Sequence, residues 1–131
     1  MAWASGWAAR GREMRVLVFG STGQVATELS WRAEVTSLGR GRADLADPEA
    51  CAAVIHAEAP EAVINAAAHT AVDRAEEEEA LATRINGDAP AAMAAACAEM
   101  DIPFVHISTD YVFDGSGGAP HRPDEATSPL N

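Results

Sequence analysis

The stretch Arg15-Val16-Leu17-Val18-Phe19-Gly20-Ser21-Thr22-Gly23-Gln24-Val25-Ala26 changes character at Gly20. Before the glycine it is apolar and rich in valine, as in a short strand buried on both faces of a parallel sheet. After it come small and polar residues, then a helical composition from Gln24 to Trp31. Strand, tight glycine turn and helix, in that order, make the phosphate-binding unit of a dinucleotide fold. The residue types suit that chemistry. Gly20 permits the turn that holds Ser21 and Thr22, Gly23 lets the backbone approach a pyrophosphate, and Ala26 lets helix and strand pack closely. Free N–H groups at the helix start would face the phosphates, with the helix dipole adding attraction. The spacing is GxxGxxA rather than GxGxxG. Taken alone it also reads as a plain turn without a ligand. The strand before it and the helix after it favour the cofactor.

Downstream the alternation recurs. Glu34 to Leu38 fits a second strand. Asp47-Pro48-Glu49 opens a helix expected to run to about Glu58: Asp47 caps it, Pro48 suits its first turn, and Glu49 favours the positive end of the dipole. Ala62 to Ala67 is a third strand, helical composition holds from Asp73 to Met100, and Pro103 to Ser108 is a fourth strand. Pro90 predicts a kink or a break into two helices, with Asp88 as the cap. Gly115 to Pro129 reads as loop. This order predicts an α/β fold: a Rossmann-like, doubly wound parallel sheet with helices on both faces, truncated after the fourth strand. The expected strand order is 3-2-1-4, with a cofactor crevice between strands 1 and 4.

The second strand ends at Leu38-Gly39-Arg40, about 20 positions after the first glycine, where a dinucleotide fold meets the adenosine ribose. An acid there would bond the 2′-hydroxyl. Arg40, with Arg42 as a second candidate, would pair with a 2′-phosphate and favour NADPH. A solvent-facing loop arginine is the competing reading.

Composition narrows the function classes. The formal net charge is −11, with no basic stripe of the kind nucleic-acid surfaces carry. Glu76 to Glu79 reads as a solvated helix face. No apolar run reaches the ~18 residues of a membrane span, and a cytoplasmic protein is expected. Cys51 and Cys97 lack CxxC spacing and read as buried thiols. Met1 to Glu13 has charge and apolar residues in the reverse order of a signal peptide. It is expected to be a disordered extension, or to precede a true start at Met14. Residues 14–131 are expected to form one incomplete NAD(P)-binding domain.

Five stretches carry a resemblance: FGSTGQVATEL (Phe19–Leu29), ADLADPEA (Ala43–Ala50), VINAAAHTAVDRAE (Val63–Glu76), INGDAPAAMAAA (Ile85–Ala96), and HISTDYVFDG with SPLN (His106–Gly115, Ser128–Asn131). Together they resemble the dTDP-4-dehydrorhamnose reductase family of the extended short-chain dehydrogenase/reductases. The resemblance implies reduction of the 4-keto group of a nucleotide-linked deoxysugar with NADPH or NADH. It implies that Gly23, Gln24 and Val25 line the pyrophosphate, that Asp44 and Leu45 hold the adenine edge, and that Ala67, Ala68 and His69 pass beside a cofactor ribose. Thr109 would be the hydroxyl of the catalytic set and Asp110 would lie at the substrate. Glu28 matches an acidic position linked in some members to magnesium at a homodimer interface. Two departures are Ala26 for the third glycine and His69 where tyrosine is common.

The family's proton donor is the tyrosine of a Tyr-x-x-x-Lys motif, which follows the Pro-Leu-Asn pattern almost at once. The sequence to Asn131 does not reach it, and it contains no lysine. Tyr111 therefore cannot substitute, and residues 1–131 alone are expected to be inactive. Two alternatives stay open: a non-catalytic NADP-binding member, like the regulatory subunit of methionine adenosyltransferase, and an NAD-dependent sugar-nucleotide epimerase or dehydratase.

Overall fold

The computed structural model describes residues 14–130. Residues 1–13 and Asn131 lie outside them, as does the expectation of a disordered extension. The elements are β1 (Val16–Phe19), α1 (Gln24–Arg32), β2 (Val35–Leu38), α2 (Pro48–Glu58), β3 (Ala62–Asn65), α3 (Val72–Glu77), α4 (Glu79–Thr83), a π-turn (Arg84–Asp88), α5 (Ala89–Glu99) and β4 (Phe104–His106). A short 3₁₀ turn, Asp110–Val112, follows.

The four strands form one parallel sheet in the order β2-β1-β3-β4. This corrects the expected 3-2-1-4. The third strand pairs with β1, Leu17 beside Val63, and with β4, Val63 beside Phe104. Handedness gives the reason. Crossovers between parallel strands are right-handed as a rule, so a helix on the opposite face carries the chain the opposite way along the sheet. After β2 the chain makes turns, with Arg42 N–H and Ala43 N–H both bonded to Gly39 O. It then enters α2, which returns it past β1. The reversal of winding lies between β1 and β3, and the crevice of such a sheet opens there rather than between strands 1 and 4.

Alternation along the strands divides the side chains. Leu17, Phe19, Leu38 and Val63 join Cys51 and Ile55 of α2 and Ala89, Met93, Ala96 and Cys97 of α5 in one buried cluster. Val18 is buried but lies outside that cluster, on the side where α1 buries Ala26. Burial pushes the Cys51 thiol up to about 11, with Asp47 and Asp44 adding to the effect. The Cys97 thiol is raised by burial too. Both are free and inert as nucleophiles.

Asp47 caps α2 as expected, its Oδ1 accepting from Ala50 N–H at 3.0 Å. Asp88 does not cap α5. It is helical, at φ −65°, and makes no side-chain capping bond. The chain does not break at Pro90 either. Proline cannot donate into the helical ladder, and the ladder widens just before it: Ala89 N–H reaches back to Arg84 O. A π-turn absorbs the defect that the sequence reading resolved as a kink or break.

Candidate dinucleotide crevice

The carboxyl ends of the strands bring together most of the expected site. Gly20 leaves β1 at φ +110°, a conformation side chains rarely adopt. Its N–H donates to Leu38 O at the end of β2, while Ala66 N–H donates to Phe19 O. A Cβ on Gly20 would lie 3.2 Å from Ala66 O, and one on Gly23 would lie 3.8 Å from the same oxygen. The glycine turn is thus pressed against the chain leaving β3, and Ser21, Thr22, Gly23, Gln24 and Val25 stay exposed. No side chain caps α1: Gly23 is its N-cap, in extended conformation. Among the described residues its first N–H groups have no side-chain acceptor, which is the arrangement a phosphate fits.

Beside the turn, at the end of β2, Arg40 is exposed. Arg42 is not equivalent, because its guanidinium binds Glu58 Oε1 at 2.7 Å. Asp44 is half-buried and its Oδ1 accepts from Ala46 N–H, which shapes the loop before α2. Leu45 is buried in the core cluster, so its main chain is what it can offer a ligand.

On the other side of the turn runs a strap, Ala66 to His69, without regular secondary structure. Asn65, fully buried at the end of β3, holds one end: its Oδ1 accepts from Ala67 N–H at 3.1 Å, and its Nδ2 contacts His106 Nδ1 at 3.2 Å. Asn86 of the π-turn holds the other end. Its Oδ1 accepts from His69 N–H at 2.8 Å and its Nδ2 donates to His69 O at 3.0 Å. The His69 ring faces Glu78, 3.6 Å away, and its Nδ1 is buried without a partner among the described residues. The Glu78 carboxyl lies below its ordinary value, chiefly through its bond to Arg74, with His69 assisting. Neither asparagine was read as functional from sequence. Asn65 had a signal, being a polar residue inside an apolar strand. Asn86 had only its place in a helical stretch.

Thr109 lies just past β4. Its Oγ1 accepts from Tyr111 N–H at 3.2 Å and approaches Asp110 Oδ1 at 3.4 Å, so it caps the 3₁₀ turn and faces solvent with Asp110. Arg40, the glycine turn, the strap and Thr109 therefore sit at the ends of β2, β1, β3 and β4 in spatial order. That row spans three strand spacings, roughly 14 Å. Glu28 lies elsewhere, on α1, bound to Arg32 at 2.8 Å. Among the described residues no group of His, Cys, Asp and Glu could hold a metal ion, and no helix is long and apolar enough to cross a membrane.

Residues 14–131 match the family described as the RmlD substrate binding domain. The chain belongs to this family. The RmlD-family relatives include dTDP-4-dehydrorhamnose reductases of Burkholderia thailandensis and Streptomyces griseus. The first is 43% identical over 90% of this chain and 41% of its own length, the second 44% over 88% and 40%. The chain thus spans about two-fifths of these RmlD-family proteins. Among solved structures, dTDP-4-dehydrorhamnose reductase of Bacillus anthracis in complex with NADP superposes with a TM-score of 0.84. It is 28% identical, over 91% of this chain and 45% of its own.

Proposed function

We infer that the protein containing this chain reduces the 4-keto group of a dTDP-linked 6-deoxy-L-sugar, dTDP-4-dehydro-L-rhamnose to dTDP-L-rhamnose, with NADPH. The observation that carries the reading is the row of elements across the sheet: an arginine without a partner among the described residues, a glycine turn before a helix with no side-chain cap, a braced strap and an exposed threonine. Residues 14–131 form the cofactor-binding part. Gly20, Thr22, Gly23, Gln24 and Val25 cradle the pyrophosphate with main-chain N–H groups. Arg40 meets the 2′-phosphate of the adenosine ribose, with Asp44 and Leu45 at the adenine, and Ala67, Ala68 and His69 flank the next ribose.

The bound dinucleotide supplies a hydride for the keto carbon. This chain's own contribution is to position. The Thr109 hydroxyl turns from Asp110 to the keto oxygen and donates a hydrogen bond to it, and Asp110 holds a sugar hydroxyl. Threonine is too weak an acid to complete the proton transfer. That falls to the tyrosine of a Tyr-x-x-x-Lys motif, which needs a lysine this sequence lacks. Arg40 distinguishes this reading from an epimerase that holds NAD by an acidic residue.

The test is NADPH consumption by the full-length protein with the dTDP-4-keto sugar. Turnover is expected, with Thr109→Val lowering kcat more than it weakens cofactor binding. Absence of turnover with an intact tyrosine–lysine pair would favour the non-catalytic, regulatory reading instead.

A further inference from the structure

Among the described residues, Phe113 to Ser128 form no strand or helix, yet this loop is closed upon itself. Its ends meet where Ser128 N–H donates to Val112 O at 2.9 Å. Inside the closure the His121 ring stacks on the Phe113 ring, with centroids 3.9 Å apart and planes 6° from parallel. His121 Nδ1 lies 3.1 Å from Glu125 Oε2. The same oxygen accepts from Arg122 N–H at 3.1 Å, and the Arg122 guanidinium binds Asp124. A surface loop with joined ends, packed by its own side chains, is frequently functional. This one is fastened to the turn that carries Thr109. Thr109 caps that turn at its start, and Phe113 closes it, with its N–H on Asp110 O at 3.0 Å. The ring stack and the bond to Val112 therefore hold the turn from the end opposite Thr109.

We propose that protonated His121 is a positioning residue for the carbonyl chemistry: stacked on Phe113 and paired with Glu125, it clasps the loop from Phe113 to Ser128 and so fixes the turn that presents Thr109 and Asp110. The proposal rests on the reductase reading above. His121 touches neither substrate nor cofactor. Its loss frees the turn, so the step that uses the Thr109 hydroxyl slows. Dinucleotide binding, which belongs to the glycine turn and Arg40, stays as it was.

The clasp carries its own pH dependence. An imidazole ordinarily titrates near pH ~6.5 and a carboxyl near ~4. The Glu125 carboxyl lies below its ordinary value, first through the Arg122 N–H and then through His121. Asp114, the second acid that His121 influences, lies below its own, chiefly through Ser116 with His121 assisting. Of the neighbouring charges, Asp110 is turned to Thr109 and Arg122 to Asp124. Glu125 and Asp114 therefore stay ionised above pH ~6, and His121 is the member of the clasp that changes charge between there and pH ~8.5. Protonated, it is a cation held between a carboxylate and an aromatic face. Neutral, it keeps the stack alone. The clasp is tight below the imidazole's titration and loosens as pH rises through it.

The experiment is single-turnover hydride transfer, followed as loss of NADPH absorbance, in the full-length protein with the dTDP-4-keto sugar near pH ~6 and near pH ~8.5, either side of the ordinary imidazole titration. Each rate is expressed relative to the unmodified protein at the same pH, which cancels titration of the proton donor. His121→Phe keeps the stack and removes the charge. Glu125→Gln keeps an acceptor for Arg122 N–H and removes the ion pair. His121→Ala removes stack and pair together. His121→Phe and Glu125→Gln are expected to be about two- to fivefold slower at the lower pH, the factor an exposed ion pair supports, and to match the unmodified protein at the higher one. His121→Ala is expected to be slower at both, with NADPH affinity unchanged in all three variants. A deficit that disappears at high pH in two of the three is not what a general loss of stability produces. Rates for His121→Phe less than twofold slower at the lower pH, a deficit that does not shrink at the higher pH, or a parallel loss of NADPH affinity overturns the proposal. If the unmodified protein gives no turnover, the reductase reading itself falls. Turnover indifferent to all three substitutions removes only the role of His121.

Discussion

The two ends of the sheet differ in kind. The amino end has the more obvious concavity, a groove of about 330 Å³ lined by Met14, Arg15, Val16, Glu34, Thr36, Glu58 and Pro60 among others. That volume lies within the range of ligand sites. Yet two of its three charged groups are already matched: Arg15 donates to Ala59 O at 2.7 Å and pairs with Glu61, and Glu58 binds Arg42. The carboxyl end is more open, but it carries a glycine at φ +110°, a helix start without a cap and an arginine without a partner among the described residues. Unmet hydrogen-bonding capacity marks a binding site better than volume does. Substitutions at the carboxyl end should therefore change binding, and those at the amino end should change stability alone.

The largest effect is expected at Gly20. Gly20→Val places a branched side chain at a left-handed backbone position, against Ala66 O. NADP⁺ binding should vanish in calorimetry, and chemical denaturation should show a stability loss of about 1–3 kcal/mol. Next comes Arg40→Ala. A charge-assisted bond to a phosphate contributes about 1.5–3 kcal/mol, so NADPH should bind roughly 10- to 150-fold more weakly while NADH is spared. Equal losses for both cofactors would remove Arg40 from the ribose site. At the amino end, Arg15→Ala gives up an exposed ion pair and a main-chain hydrogen bond. It should cost about 1 kcal/mol in denaturation and leave cofactor affinity unchanged. The smallest effect has the opposite sign. Ala59 closes α2 at φ +45°, so Ala59→Gly should relieve left-handed strain and raise stability by about 0.5 kcal/mol after the unfolded-state entropy is deducted. A change in NADP⁺ affinity from either amino-end substitution would break the contrast between the ends.

What the sequence revealed follows from how local each signal is. β1 and its glycine turn were legible because the turn chemistry is confined to a few neighbouring residues, and the α2 start because Asp47, Pro48 and Glu49 act within one helical turn. The order of the strands was not. Whether the Val63 strand lies outside β2 or beside β1 depends on which face α2 takes, a long-range matter on which the residues of either strand are silent. The π-turn escaped for a related reason: Pro90 announces a defect in the ladder, but not whether the chain bends, breaks or widens around it. Within the site, Arg40, the glycines and Thr109 were named from sequence. The brace from Asn86 was not, because its partners are main-chain atoms of His69, which no side-chain pattern identifies.

The most direct test is an amide map of NADP⁺ binding to the isotopically labelled full-length protein, read as changes in NMR chemical shift. The account predicts shifts clustered at Gly20 to Ala26, Gly39 and Arg40, and Ala66 to His69, with Met14, Glu34 and Thr36 undisturbed. Shifts centred on the groove around Met14, Glu34 and Glu58, with the glycine turn unmoved, would place the cofactor at the wrong end of the sheet and contradict it.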